Sequence, residues 1–157
     1  MAKEIERKFL VTNEDWRSDD AGEYRQGNIS LDKERTVRVR MAGNKAYLTV
    51  KGLTKGATRR EFEYEIPLTD ATEMLANLCR RPLIEKQRHK VLYGGLIWEI
   101  DEFFGENSGL IVAEVELESE DQPFERPPWL GKEVTGDSRY YNVNLVQKPY
   151  ANWKADG

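Results

Sequence analysis

The sequence predicts a mainly β (α+β) protein: eight strands in an antiparallel meander, with one long helix between the fifth and sixth. Three observations predict it. Stretches that alternate with a period of two recur along most of the chain, and such a period sends successive side chains to opposite faces of a strand. Gly-Asn and Gly-Gly pairs mark tight turns between some of these stretches. The polar faces carry charge in phase from strand to strand, with few Thr, Ser or Gln between.

The first strand is Lys3-Glu4-Ile5-Glu6-Arg7-Lys8-Phe9-Leu10, with Glu4, Glu6 and Lys8 on one face and Ile5 and Phe9 on the other. Asn13-Glu14-Asp15-Trp16 reads as a short helical turn capped by Asn13 or Thr12, and residues 18–23 as a polar loop. Tyr24 to Leu31 carries a weaker strand signal, with Gly27 in its middle. Thr36, Arg38 and Arg40 then alternate with Val37, Val39 and Met41; Gly43-Asn44 turns the chain; and Tyr47, Thr49 and Lys51 alternate with Ala46, Leu48 and Val50. After a loop at 52–58, Arg59, Glu61, Glu63 and Glu65 lie opposite Phe62, Tyr64 and Ile66. The helix is expected over roughly 70–80, opened by Thr69-Asp70, striped by Leu68, Met74, Leu75 and Leu78, and closed by Pro82. Ile84, Lys86 and Arg88 share the next face, although His89 and Lys90 blur that alternation. Gly94-Gly95 returns the chain, and Ile97, Glu99 and Asp101 alternate with Leu96, Trp98 and Ile100. Glu114, Glu116 and Glu118 alternate with Ala113, Val115 and Leu117 in the eighth strand. The tail holds Pro127-Pro128-Trp129 and a short helix expected near 138–147.

Such a meander either stays an open sheet or closes into a barrel. In an open sheet the charges would pair across strands on a wet face, with helices on the other side. Two features favour a closed, polar bore. The charges concentrate in phase on seven strands, and they are sorted, with Arg-x-Arg and Lys-x-Arg on some strands and Glu-x-Glu on others. Guanidinium forks grip phosphate oxygens and paired carboxylates hold hard metal ions, so the sorting suits a polyanion together with divalent cations.

Composition narrows the function. The 157 residues, 39% hydrophobic and 33% charged, suit one domain. A net charge of −4, from 28 acids against 24 bases, argues against a general nucleic-acid or membrane-surface binder. No apolar run nears the roughly 18 residues of a membrane span. The charged N-terminus lacks a signal peptide's apolar core, and the one cysteine, Cys79, forms no intramolecular disulfide, so a cytoplasmic location is expected. Cys79 falls in the predicted helix and reads as core filler.

Glu4-Ile5-Glu6-Arg7-Lys8 resembles the ExExK signature of the CYTH superfamily, the triphosphate tunnel metalloenzymes. Arg38-x-Arg40, Lys51, Glu61-x-Glu63, Lys86-x-Arg88, Asp101 and Glu114-x-Glu116 follow on successive strands in the family's order. The tail Pro127-Pro128-Trp129-Leu130-Gly131, Glu133-Val134-Thr135, Arg139-Tyr140 and Asn142 is similar to that of the short bacterial members. The resemblance covers about residues 3–146 and implies that 1–157 is a single CYTH-like tunnel domain. Its expected form is an eight-stranded antiparallel closed barrel with a charged interior and helices outside. It implies a hydrolase that uses Mg²⁺ or Mn²⁺ to cleave a small-molecule triphosphate, with inorganic tripolyphosphate favoured.

Carried over by position, Lys8, Arg38, Arg40, Lys51, Lys86, Arg88 and Arg139 would hold the phosphates. Glu4, Glu6, Glu61, Glu63, Asp101, Glu114 and Glu116 would form the metal side, and Glu4, Glu6, Lys8 and Lys51 would stand at the chemistry. One position departs from the pattern. In short bacterial tripolyphosphatases of the family the Gln-Gly of the second strand is followed by a tyrosine taken to work with the strand-4 lysine; here the run is Arg25-Gln26-Gly27-Asn28. An amide does not titrate in the usable range, so Asn28 supplies no phenolic acid or base.

Rival assignments find less support. His89 is out of phase with Lys86 and Arg88 and is expected to face outward, so no Ser/His/Asp or Cys/His set can be assembled. Asp137-Ser138-Arg139 reads as a helix cap, Trp98 and Trp129 as packing residues, and Gly52 and Gly56 lack the strand–GxxxxGK–helix context of a P-loop. The alternatives kept are the same fold acting on an organic triphosphate (thiamine triphosphate hydrolysis or ATP cyclisation) and a non-catalytic polyphosphate- or nucleotide-binding module. Exposed outer apolar residues would permit a homodimer.

Overall fold

A computed structural model describes residues 3–141, 144–145 and 148–153. Its strands are β1 (Lys3–Val11), β2 (Ala21–Ser30), β3 (Thr36–Ala42), β4 (Lys45–Lys51), β5 (Thr58–Ile66), β6 (Ile84–Tyr93), β7 (Leu96–Phe103), β8 (Ile111–Glu116) and β9 (Leu130–Glu133). Helix α1 (Leu68–Asn77) lies between β5 and β6.

The ladder runs β5-β4-β3-β2-β6-β7-β8-β1, and β1 pairs back onto β5, so eight antiparallel strands close a barrel. Closure rests on a short seam, Lys3↔Arg60, Glu4↔Arg59 and Ile5↔Thr58. Beyond Ile5 the first strand leaves β5, and its later edge is taken by β9 through Phe9↔Glu133 and Val11↔Leu130. That ninth strand is absent from the sequence prediction, because a four-residue segment behind two prolines gives no alternation long enough to read.

The apolar faces look outward, and the tail covers more of them than the helix does. The largest cluster joins Phe9, Trp16, Trp98, Ile100, Ala113, Val115, Leu117 and Trp129, with Phe124 and Leu130 packed against it. Trp98 is fully buried, meeting Phe9, Phe124 and Trp129 at ring-centroid distances of 5.7–5.8 Å. Burying one side chain of this size is worth about 1.5–3 kcal/mol. Helix α1 covers a second cluster through Ala71 and Leu75 against Val39 and Ala46. Gly27 is required there: a Cβ would stand 2.6 Å from Leu83 Cδ2 and 2.8 Å from Cys79 Cβ, so only glycine lets the 79–83 segment lie on β2.

Several expectations are corrected. Residues 13–16 form a bend that runs into a single hydrogen-bonded turn rather than a run of helix: Asn13 Oδ1 accepts from the Asp15 backbone N–H at 2.9 Å, as a cap does, and the Arg17 backbone N–H donates to the Glu14 carbonyl at 3.0 Å. Helix α1 ends at Asn77, ahead of the predicted limit, so Cys79 lies beyond it, half-buried. Its N-cap is Pro67, which offers no side-chain bond, rather than Thr69 or Asp70. Leu68 and Leu78, assigned to its apolar stripe, are exposed. In the tail, Ser138–Tyr140 form a 3-10 turn capped by Asp137, as its sequence suggests, while Asn142, Val143, Val146 and Gln147 lie outside the described residues. Glu118 lies past the end of β8 and is exposed.

Candidate active site: a charged tunnel

The inward positions of the barrel converge on a cavity of about 330 Å³. Its walls carry Lys8, Lys33, Arg38, Arg40, Lys51, Arg59 and Arg88 against Glu4, Glu6, Glu61, Glu63, Glu99, Glu114 and Glu116, seven cations facing seven carboxylates. Two expected site residues stand behind this lining. Lys86 and Asp101 are 2% and 1% exposed and bond each other at 2.8 Å. The bore is not charged throughout: in phase with Lys86, Asp101 and Glu114, the side chains of Ile84, Phe103 and Val112 form an apolar cluster with Leu110 and Leu145.

Register explains who meets whom. Lys8 lies opposite Glu114, and Glu6 opposite Glu116, so the Lys8 ammonium sits 3.8 Å from Glu114 and 3.6 Å from Glu6. Lys51 lies opposite Glu61 and reaches Glu4 at 3.2 Å and Glu61 at 3.8 Å. Arg88 lies opposite Asp101 and binds both its oxygens, at 2.7 and 2.9 Å, with Glu99 at 3.2 Å. With Lys86 also bound, the Asp101 carboxylate is fully engaged by cations, which hold it well below the usual carboxylate range despite its burial. On β3, Arg38 has only Glu63 as an ion-pair partner among the described residues, at 3.9 Å, relayed by Thr49, whose hydroxyl stands 3.4 Å from Arg38 and donates to Glu63 at 3.0 Å. Arg40 donates to Gln26 Oε1 at 3.4 Å.

Confinement moves the ionisation of both sets. Burial, and then a hydrogen bond with Glu61, raises the Glu4 carboxyl above its ordinary value. Burial with Glu6 nearby raises Glu114, and burial with Glu4 and Glu99 raises Glu116. Burial and then Arg40 lower Arg38, while burial and then Arg88 lower Arg40. A guanidinium keeps its proton in proteins, so these shifts express a cationic wall short of anion. Burial and Arg38 also lower the Lys51 ammonium.

Of the residues singled out for the site, Arg139 alone stands apart. Its side chain is exposed, pairs with Asp137 at 2.8 Å and lies outside the cavity lining, whereas Ser138 and Tyr141 beside it line the cavity. The Tyr141 ring sits 5.1 Å from the Lys8 ammonium. Asn28 lines the cavity, 2% exposed, and its Oδ1 has no hydrogen-bond partner among the described residues. Arg59, placed on the inward face but outside the expected phosphate set, also lines the cavity, its Nε unpartnered among the described residues. Tyr24 and Gln26 escape the sequence reading because Gly27 weakens the strand signal that would have given them a face. His89 lies on the outer side as expected, buried edge-on against Trp16.

Among the described residues no three His, Cys, Asp or Glu side chains converge closely enough to hold a metal ion as they stand. The donor set nonetheless fits a hard cation. Glu4, Glu6, Glu61, Glu114 and Glu116 line one cavity, and burial first, then neighbouring carboxylates, raises the pKa of Glu4, Glu114 and Glu116 there. A neutral sum of wall charges also suits a ligand that is itself close to neutral, as a triphosphate is when it carries divalent cations.

A closed barrel with this charged bore suits a polyanion accompanied by hard cations, and comparison with known proteins gives the family. The CYTH domain model matches residues 2–150. An inorganic triphosphatase of Acetivibrio thermocellus is 53% identical over 155 residues, spanning 98% of this chain and 99% of that protein. One from Nitrosomonas europaea is 39% identical over 147 residues, spanning 91% and 96%. A crystal structure of an inorganic triphosphatase, 38% identical, covers 93% of this chain and 95% of its own, with a TM-score of 0.67. The chain belongs to the CYTH family, and that membership implies dependence on a divalent metal ion. No helix among the described residues is long and apolar enough to cross a membrane.

Proposed function

We propose that this protein is a metal-dependent triphosphatase that hydrolyses inorganic tripolyphosphate to pyrophosphate and phosphate. The observation that carries the reading is the cavity of equal opposing charges inside a closed barrel, in a chain 53% identical to an inorganic triphosphatase. A triphosphate carries about four to five negative charges at neutral pH, so its cleavage needs positioned positive charge rather than a covalent intermediate.

In this reading Arg38 and Arg40 bind phosphate oxygens most strongly, having the least carboxylate to give up. Lys8, Lys51 and Arg88 complete the grip by exchanging part of their carboxylate contacts for phosphate. Lys86 supports the site from behind the lining, and Asp101 serves the cations rather than the metal, since Lys86 and Arg88 engage both its oxygens. Glu4, Glu6, Glu61, Glu114 and Glu116 would hold the metal, with Glu63 held back beside Thr49. Bound there, Mg²⁺ or Mn²⁺ would supply Lewis-acid stabilisation of phosphate charge and acidification of an attacking water. Lys51, its pKa lowered by burial and then by Arg38, and its ammonium 3.2 Å from Glu4, is the proton-bearing group this reading places at the chemistry, with no phenol at position 28 to share the role.

The test is phosphate release from tripolyphosphate, ATP and thiamine triphosphate in parallel, each with Mg²⁺, Mn²⁺ or EDTA. Metal-dependent turnover fastest on tripolyphosphate is expected. Equal or faster turnover of either organic substrate would overturn the substrate assignment, and turnover surviving EDTA would overturn the metal requirement.

A further inference from the structure

Tyr24 lies on the inner face of β2, and the ladders on its two sides set an arginine diagonally against it. It faces Ala42 on β3, so Arg40 is two residues away along that strand; it faces Lys86 on β6, so Arg88 is two residues away along that one. Diagonal cross-strand neighbours are roughly 7–8 Å apart, within reach of an aromatic ring and a long side chain. The two guanidinium carbons stand 5.2 Å (Arg40) and 4.8 Å (Arg88) from the Tyr24 ring centroid, near enough for both to meet its π-system.

The two arginines differ in what else holds them. Arg88 is fixed by Asp101 and Glu99. Arg40 has no carboxylate oxygen within 4.0 Å among the described residues, and its close contacts are neutral: the Gln26 carbonyl oxygen and the Tyr24 ring. Arg40 and Arg88 line the cavity, whereas Tyr24 and Gln26 do not, so this pair reaches a ligand only through the arginines.

We infer that Tyr24 is a positioning residue which, with Gln26, holds the Arg40 guanidinium beside Arg88 as a two-arginine clamp for the triphosphate. The inference rests on the triphosphate reading above and adds the groups that aim the clamp. Two like charges side by side would drive the less anchored one, Arg40, away from its neighbour. The electron-rich ring between them offsets that repulsion without supplying an anion. A carboxylate in the ring's place would hold Arg40 as well, but it would have to be displaced by every incoming phosphate.

The experiment is calorimetric titration of tripolyphosphate in EDTA, so that binding is read without turnover. Wild type is compared with Tyr24→Phe, Tyr24→Leu, Arg40→Ala and the Tyr24→Leu/Arg40→Ala double variant. Tyr24→Leu should weaken binding about tenfold, and Tyr24→Phe, which keeps the ring, no more than about twofold. In the Arg40→Ala background the effect of Tyr24→Leu should shrink to about twofold, because Arg88 keeps its own carboxylates. Wild-type affinity in folded Tyr24→Leu, or an undiminished effect without Arg40, overturns the inference. If Tyr24→Leu does not fold, Tyr24→Met gives the same comparison. In wild type the ring should also move the Arg40 Nε–H resonance upfield, and its absence from that position overturns the inference independently. Wild type that binds tripolyphosphate in EDTA but does not cut it when Mg²⁺ or Mn²⁺ is supplied overturns the hydrolase reading while the binding series still decides the clamp; wild type that binds none in EDTA overturns the clamp, and its turnover with added metal decides the hydrolase reading separately.

Discussion

Arg38-x-Arg40 on β3 and Lys86-x-Arg88 on β6 are near-identical motifs, two cations spaced to share one face of a strand, and both point into the same bore. Their surroundings differ because their neighbouring strands differ. β6 lies against β7, whose Asp101 falls in register with Arg88, so that pair of cations is neutralised by a buried carboxylate at 2.7–2.9 Å. β3 lies between β2 and β4, which offer Gln26, Asn28 and Thr49, so its arginines meet amides and a hydroxyl. The first pair is built to stay in place in the empty tunnel; the second is left with charge to spend on a ligand. A motif proposed to bind phosphate thus gets its strength from the strand beside it as much as from its own residues.

The sharpest way to break this contrast is to remove Asp101. Asp101→Asn leaves Lys86 and Arg88 buried with their principal counter-charge gone and should destabilise the fold by about 3–5 kcal/mol, read by denaturant unfolding. A loss under about 1 kcal/mol would mean that the two walls are equally compensated. The mirror experiment is Arg40→Ala. It removes a charge with no carboxylate oxygen within 4.0 Å among the described residues, so stability should change by no more than about 1 kcal/mol, while kcat/KM for tripolyphosphate falls tenfold or more, equivalent to about 1.4 kcal/mol of lost stabilisation. Lys86→Ala should fall between, costing both stability and turnover, since Asp101 keeps Arg88 but loses one donor. Unchanged kinetics in both Arg40→Ala and Lys86→Ala would sink the tunnel assignment.

The two motifs are legible in the chain, and their difference is not. Alternation with a period of two puts Arg38 and Arg40 on one face of their strand, and Lys86 and Arg88 on one face of theirs. The recurrence of in-phase charge on other strands suggests a bore, and the resemblance to the CYTH family closes that bore into a barrel. The register between strands far apart in sequence has no local signal: nothing near Arg88 announces Asp101, thirteen residues on and across a turn. Tyr24 and Gln26 are hidden by Gly27, which breaks the strand signal for a reason on the other side of the sheet, the close approach of Cys79 and Leu83. The short strand β9 is hidden for the opposite reason, being too brief to show a period. Arg139 goes the other way. The family order draws it toward the phosphates, but Asp137, two residues earlier, satisfies both its backbone N–H and its guanidinium.

The acidic side of the tunnel offers a gentler test of the same idea. Glu4, Glu114 and Glu116 are raised above the ordinary carboxylate value, chiefly by burial, so protons compete for these oxygens at a higher pH than they would for exposed acids. The sign follows: acidification fills the proposed metal ligands with protons, so the metal concentration giving half-maximal turnover should rise several-fold between pH ~7.5 and pH ~5.5. A metal requirement that is flat over this range would place the metal on acids whose ionisation is ordinary. Chelation at neutral pH should abolish turnover reversibly, and added Mg²⁺ or Mn²⁺ should restore it.

The smallest effect belongs to an ion pair that looks strong by distance. Arg7 on β1 bonds Glu133 on β9 with both guanidinium arms, at 2.6 and 2.8 Å, closer than the contacts of Lys8 or Arg38. Both side chains are about a third exposed, so water screens the attraction and supplies alternative partners to each. The pairing holds Glu133 below the ordinary carboxylate value. Its contribution is therefore fully present at neutral pH and lost progressively as pH falls from the ordinary carboxylate range through the lowered folded value of Glu133. Glu133→Ala should cost no more than about 1 kcal/mol at neutral pH, and less in high salt. A loss rivalling that of Asp101→Asn would show that β9 is fastened to the barrel by charge. Burial of Trp129 and Leu130 against the Phe9 cluster says instead that apolar packing fastens it, and that burial, not contact distance, ranks the ion pairs of this protein.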